Sequence, residues 1–153
     1  MKVEGEFEMK RICMTLIMAS TLLLPVHADD DKPIQFSGLP RTAQQFVMQN
    51  FADKKVALAK MESDFFGKNY DVIFVNGDKV EFERSGNWKK IKCKYSQVPA
   101  SLVPNPIMVY VRDNYPECKI IELEKEGNTY EAKLSNGWEL KFNKNFELID
   151  LDK

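Results

Sequence analysis

The chain has 153 residues, 44% of them hydrophobic and 29% charged, and its 22 basic and 23 acidic side chains leave a formal charge of −1. That length and apolar content suffice for one packed domain, while the balanced charge supplies no basic stripe for a polyanion and so excludes nucleic acid as a partner. The sole histidine, His27, lies in an N-terminal segment that reads as an export signal; a mature chain without it lacks the imidazole of serine–histidine and cysteine–histidine catalysis and of the common histidine-containing zinc sites.

Residues 1–28 carry the signal pattern: Lys10-Arg11 as the positive region, Ile12 to Val26 as a mainly apolar core, and Val26-His27-Ala28 as a small-residue cleavage site. The mature chain is therefore expected to begin near Asp29 and to be periplasmic or secreted. The apolar core is too short and too close to a cleavage site for a membrane span, and no later run reaches the roughly 20 apolar residues one needs. Glu4, Glu6 and Glu8 ahead of the signal make Met9 an alternative start to Met1. Removal takes as many basic residues (Lys2, Lys10, Arg11) as acidic ones, so the net charge is unchanged.

Asp29 to Phe36 reads as a charged, mobile lead-in. From Leu39 the pattern turns helical, with Pro40 suited to a helix start and Ala43, Phe46, Val47 and Phe51 on one face. A strand, Lys55 to Met61, follows, then a longer connection, Glu62 to Lys68, containing Phe65-Phe66-Gly67. Next comes Tyr70 to Phe82 with Asn76-Gly77 between alternating runs, a strong hairpin signal. A two-residue loop there would split the apolar residues between the two sheet faces. A three-residue loop, Val75-Asn76-Gly77, instead pairs Phe74 with Asp78, Val72 with Val80 and Tyr70 with Phe82, which predicts a type I turn with a G1 bulge and a left-handed Gly77. Gly86-Asn87 marks a turn before a last strand, Trp88 to Tyr95.

After a link, Ser96 to Leu102, the same order returns. Pro104, Ile107, Tyr110, Val111 and Tyr115 repeat the helical face, Lys119 to Lys125 the first strand, Tyr130 to Phe142 the hairpin around Asn136-Gly137, and Phe146 to Leu151 the last strand. The expected fold is thus α+β: a tandem duplication of an α-β-β-β-β unit, with repeat 1 over about 36–95 and repeat 2 over about 96–153, forming one antiparallel sheet of about eight strands within a single domain, residues 29–153. Both helices pack on one face and the opposite face is open. That open face takes Asp71, Ile73, Val75, Lys79, Glu81 and Glu83 from the first half and Glu131, Lys133, Ser135, Glu139, Lys141 and Asn143 from the second.

The αββββ-αββββ order, the signal, the Leu39-Pro40 helix start, the Tyr70-Asp71-Val72-Ile73-Phe74-Val75-Asn76-Gly77 hairpin and Gly86-Asn87-Trp88-Lys89 together resemble the PepSY-like family of exported Bacteroidetes proteins, similar in architecture to the β-lactamase-inhibitor protein. The resemblance spans about Ile34 to Lys153. It implies a curved sheet whose open side grips a partner protein, in a family associated with restraint of peptidases. No individual functional residue carries over from it.

Several residues stand out as candidate partner contacts. In Phe65-Phe66, either one ring is a binding anchor or the loop folds back and buries both. Ile91, Cys93 and Tyr95 share one strand phase and Trp88 has the other, so either a bulge re-aims Trp88 or it lies on the open face, where Ile73 and Val75 would join it in an apolar patch. Trp138 reads as a packing residue, with Asp78 as its counterpart in the first hairpin. Lys89-Lys90, Lys92 and Lys94, like Glu122, Glu124 and Glu126, read as solvated strand faces. Cys93 and Cys118 either form a disulfide, permitted by an oxidising compartment, or remain buried thiols. Asp150-Leu151-Asp152 lacks the turn glycine and ligand spacing of a calcium loop, and no metal or cofactor is predicted.

The resulting expectation is a non-catalytic periplasmic module that binds another envelope protein, as an inhibitor or restraint of an enzyme such as a peptidase. The alternative is a small-ligand sensor or carrier.

Overall fold

The computed structural model describes residues 31–64 and 67–153. The expected export signal and the pair Phe65-Phe66 lie outside the described residues.

Nine strands form one antiparallel sheet in strict sequence order: β1 (Lys32–Ile34), β2 (Val56–Asp64), β3 (Gly67–Phe74), β4 (Lys79–Phe82), β5 (Trp88–Lys92), β6 (Ile120–Glu126), β7 (Thr129–Leu134), β8 (Glu139–Phe142) and β9 (Leu148–Asp152). Helix α1 (Arg41–Asn50) bridges β1 and β2, and helix α2 (Asn105–Asn114) bridges β5 and β6. The strand beyond the expected eight is β1, in the supposed lead-in. It pairs Lys32 with Met61 and Ile34 with Ala59, because β2 runs past Met61 and offers it an edge. The supposed loop after Met61 is likewise ladder, since Glu62 pairs with Asn69 and Ser63 with Lys68.

Both helices follow a proline in extended conformation, Pro40 and Pro104, and neither start is capped by a side chain. Residues four apart then fall on one face, burying Ala43 and Val47 in α1 and Ile107 and Val111 in α2. Aromatic rings fix the helices to the sheet: Phe46 meets Phe82 edge-on at 5.7 Å between centroids, Phe51 stacks on Phe74 at 5.1 Å, and Tyr110 meets Phe142 edge-on at 5.6 Å. Each such pair contributes about 0.5–1.5 kcal/mol beyond its buried area. Val80, Ile91, Leu123, Ala132 and Leu140 are aligned across successive strands on that same side and are fully buried. The two helices therefore cover one face and leave the other open.

The hairpin register follows the apolar phase. Tyr70 pairs with Phe82 and Val72 with Val80, and in the second half Tyr130 pairs with Phe142 and Ala132 with Leu140. At the turns Gly77 N–H donates to Phe74 C=O (2.9 Å) and Phe74 N–H to Asp78 C=O (2.8 Å), with Gly77 at φ 88° and Gly137 at φ 92°. These are the expected three-residue bulged turns. A further bulge between Glu81 and Phe82 sets Trp88 opposite Phe82. Trp88 thus faces the helices, its ring 6.3 Å from that of Phe46.

The β4–β5 turn adds a steric constraint. Gly86 has φ 84°, and a Cβ there would lie 2.7 Å from Pro40 Cβ and 3.1 Å from the Ala43 nitrogen at the start of α1. Gly127, at φ 56°, has open space around it. Gly86→Ala should therefore cost about 2–4 kcal/mol, combining left-handed strain with overpacking, whereas Gly127→Ala should cost about 1–2 kcal/mol. Urea denaturation of the two variants measures the difference; equal losses would show that Gly86 is kept for its backbone angle alone.

Candidate functional site

On the open face the same register that gathers the core aligns charged residues in rows. In one row Lys60, Asp71, Glu81, Lys90, Glu124, Glu131, Lys141 and Asp150 stand side by side from β2 to β9. Where the halves meet, Lys90 Nζ lies 2.7 Å from both Glu122 and Glu124. Burial pushes the Lys90 ammonium down, but these two carboxylates reverse the effect and hold it above the ordinary lysine range. Cross-strand ion pairing thus joins the halves on the face opposite the Ile91–Leu123 contact.

The next row separates the halves in character. In the first half it runs Leu58, Ile73, Lys79, Lys92. Its second-half counterpart runs Glu122, Lys133, Glu139, Asp152, with Lys133 and Glu139 ion-paired. An apolar pair therefore stands where the second half has charges. Beyond it, at the tip of the first hairpin, Val75 is 65% exposed and Tyr95 79% exposed. Lys94 Nζ sits 5.2 Å from the Tyr95 ring centroid, and a Cβ on Gly77 would lie 3.4 Å from Lys94 Cδ and 3.9 Å from Tyr95 Cε2. Turn and aromatic are adjacent.

Asp78, only 1% exposed, organises this ledge. Its carboxylate accepts hydrogen bonds from Lys54 Nζ, from Asn76 Nδ2 (2.9 Å), from Ser96 Oγ (3.1 Å) and from the Lys94 backbone N–H (3.0 Å). The hairpin turn, the segment after α1 and residues 94–96 are thereby tied to one buried anion. Burial pushes the Asp78 carboxyl up, but Lys54 and the other donors outweigh it and leave the group below its ordinary value. Asp71, 2% exposed although on the open face, goes the other way. Burial raises it, the nearby Glu62 carboxyl adds to the rise, and Lys79 opposes only in part. Its Oδ2 is 2.6 Å from Lys79 Nζ and 3.3 Å from Lys60 Nζ, close enough for ion pairing but without a well-directed hydrogen bond.

Of the partner contacts anticipated from sequence, Ile73 and Val75 belong to this ledge. Trp88 does not join them: it lies on the helix side, half-buried, bordering a depression of about 400 Å³ also lined by Glu83, Asn87, Lys125 and Gly127. Tyr95 shares the sequence phase of the buried Ile91 and Cys93 but not their burial: β5 ends at Lys92 and Asp78 draws Lys94 and Ser96 inward, which leaves the Tyr95 ring outside. Leu58 and the anchoring role of Asp78 also escaped the sequence reading. The bridge weighed between Cys93 and Cys118 is not formed. Both are free thiols, and burial, with Asp78 nearby, pushes the Cys93 thiol up. Among the described residues no group of three histidine, cysteine or acidic side chains could hold a metal ion, and no helix is long and apolar enough to cross a membrane.

The two buried aspartates predict opposite pH signatures. Because Asp78 is depressed in the native state, its contribution is complete above the unfolded value of about 3.9 and is lost as pH falls through the native value. Asp71 is raised, so its contribution is fullest at low pH and declines as pH rises above about 4. The stability advantage of wild type over Asp78→Asn should grow with pH, and its advantage over Asp71→Asn should shrink. Each slope is limited to about 1.4 kcal/mol per pH unit. Denaturant titrations from about pH 2 to 6 read both slopes, and slopes of the same sign would contradict the assignment.

A family model described as “Putative beta-lactamase-inhibitor-like, PepSY-like” matches residues 68–150. Among solved structures, a periplasmic protein of the DUF2874 family from Bacteroides vulgatus ATCC 8482 is 56% identical, covers 82% of this chain and 99% of its own, and superposes with a TM-score of 0.78. A protein from Bacteroides thetaiotaomicron, described as a calcium-regulated periplasmic protein, is 54% identical over 81% of this chain and 98% of its own, with a TM-score of 0.79. A third, from Bacteroides vulgatus ATCC 8482 and described as a periplasmic protein of unknown function, is 32% identical over 80% of this chain and 99% of its own, with a TM-score of 0.76. No curated protein matches the chain. The protein is periplasmic, and it belongs to the PepSY-like family.

Proposed function

We propose that this protein is a non-catalytic periplasmic binding module that grips another envelope protein with the first-hairpin end of its open sheet face, as an inhibitor or restraint of an enzyme such as a peptidase. One observation carries the reading. The halves share a scaffold, yet at this end the first presents Leu58, the half-buried Ile73 and Val75 where the second has Glu122, Lys133 and Ser135, and adds the exposed ring of Tyr95. A rigid apolar centre with a cationic margin of Lys79, Lys92 and Lys94 suits a protein surface with an apolar spot and acidic surroundings. The Bacteroides thetaiotaomicron relative is described as calcium-regulated; among the described residues here no group of three histidine, cysteine or acidic side chains could hold a metal ion, and no step is assigned to calcium. A small-ligand role is the weaker reading: the apolar depression beside α2 measures only about 160 Å³, below the roughly 300 Å³ at which ligand pockets begin, and the larger one of about 400 Å³ beside Trp88 is otherwise lined by Glu83, Asn87, Lys125 and Gly127, without the predominantly apolar lining of such pockets.

The test uses protein purified from the periplasm as bait in envelope extracts, with Tyr95→Ala and Val75→Asp on the ledge and Ser135→Asp as the matched change in the second hairpin. A partner held by wild type and by Ser135→Asp should bind the ledge variants about 30-fold more weakly, corresponding to a loss of about 2 kcal/mol at an aromatic anchor. Equal retention by all four proteins, or no retained partner, would refute the proposal.

A further inference from the structure

The sheet has two edges, and they are protected differently. β1 is three residues long and contains Pro33, which has no N–H to offer an added strand. β9 is five residues long, carries no proline or lysine, and pairs on one side only, with β8, among the described residues. Its Ile149 is 54% exposed and its Leu151 41% exposed. Two amides at the end of this edge are held by neighbouring carboxylates: Leu151 N–H donates to Asp150 Oδ1 at 2.9 Å, and Lys153 N–H, just past the strand, donates to Asp152 Oδ1 at 2.7 Å. Residues two apart on a strand send their backbone groups to the same side, so these are outward donors with provisional acceptors.

We propose that β9 is a docking edge for an extended segment of another protein in which basic and apolar residues alternate. An incoming strand would supply backbone carbonyls to the Leu151 and Lys153 amides, and Asp150 and Asp152 would be released to pair with its cations. Charge decides the occupant. On the open-face side β9 presents Asp150 and Asp152 beside Glu131 and Glu139, with Lys141 among them and Lys133 paired to Glu139, so four carboxylates face two ammonium groups. A second copy of β9 set antiparallel would bring aspartates against aspartates, which disfavours self-pairing. A lysine or arginine at every other position answers the aspartates. On the helix side Leu151 and the half-buried Trp138 call for apolar residues at the positions between.

The edge is separate from the Val75–Tyr95 ledge, so either can fail without the other. The experiment titrates periplasm-purified protein with a labelled eight-residue peptide of alternating lysine and valine, with a glutamate–valine peptide as control, reading fluorescence anisotropy and amide hydrogen exchange. The lysine peptide should bind, slow exchange at the Leu151 and Lys153 amides, and lose at least tenfold in affinity when Asp150→Lys and Asp152→Lys are combined. Leu151→Pro, which removes an outward donor, should abolish binding, and Tyr95→Ala should leave it intact. Comparable binding of the glutamate peptide, undiminished binding by the lysine variant, absence of binding, or a peptide-free dimer broken by Leu151→Pro would each overturn the proposal, the last by assigning the edge to a second copy.

Discussion

Burying one face of a meander sheet requires every strand to keep the same side-chain phase, and a one-residue slip in any hairpin would turn its apolar set outward. The structure meets this requirement with irregularities placed in matching positions of the two halves. Bulged turns at Gly77 and Gly137 bring Val72 opposite Val80 and Ala132 opposite Leu140. Bulges between Glu81 and Phe82 and between Lys141 and Phe142 bring Trp88 and Leu148 onto the helix side. The open face is then the remainder of the same bookkeeping. Its rows of charged residues arise because positions not needed for the core mostly face water, and opposite charges meet across several of the strand pairs, as at Lys60–Asp71, Lys90–Glu124 and Lys133–Glu139.

Against that background the two buried aspartates are exceptions with different solutions. A buried carboxylate costs several kcal/mol unless donors replace its water. Four donors surround Asp78, among them one ammonium and one backbone amide, and the charged form wins. Asp71 has two lysines near one oxygen but also Glu62 beside it, and burial prevails. The Asp78 solution bears on binding. By tying residues 94–96 to the hairpin turn, it holds the segments that carry Tyr95 and Val75 together, which would lower the conformational entropy lost in the proposed association.

How legible this was in the sequence depended on whether local pattern decided the outcome. The helices, the hairpins and their bulged turns follow from spacing and from Asn-Gly, because apolar phase and turn geometry are local facts. β1 was missed since a three-residue strand containing Pro33 has no internal pattern; its existence depends on β2 extending beyond Met61. The site was less visible. Trp88 has the wrong phase for its strand until Lys89 is recognised as the bulged residue, and no motif announces that. Tyr95 continues an alternation that the backbone abandons in order to reach Asp78, a contact between residues 16 apart for its Lys94 donor. Long-range hydrogen bonding overrode periodicity there.

The net charge of −1 conceals an uneven distribution that the fold creates. Lysines 79, 92 and 94 gather at the first-hairpin end, while Glu131, Glu139, Asp150 and Asp152 gather at the far edge around Lys141. Neither group is contiguous in sequence, so composition averages them away. Separated along one sheet, they give the open face a direction, and a partner with complementary charge would be oriented before contact at ranges within the Debye length of about 8–10 Å. Net affinity would still come from the desolvated centre around Val75 and Tyr95, since exposed ion pairs contribute only about 0–1 kcal/mol each. In the proposed complex charge would set orientation and the apolar ledge strength, so salt should act on the rate of encounter more than on the lifetime of the complex.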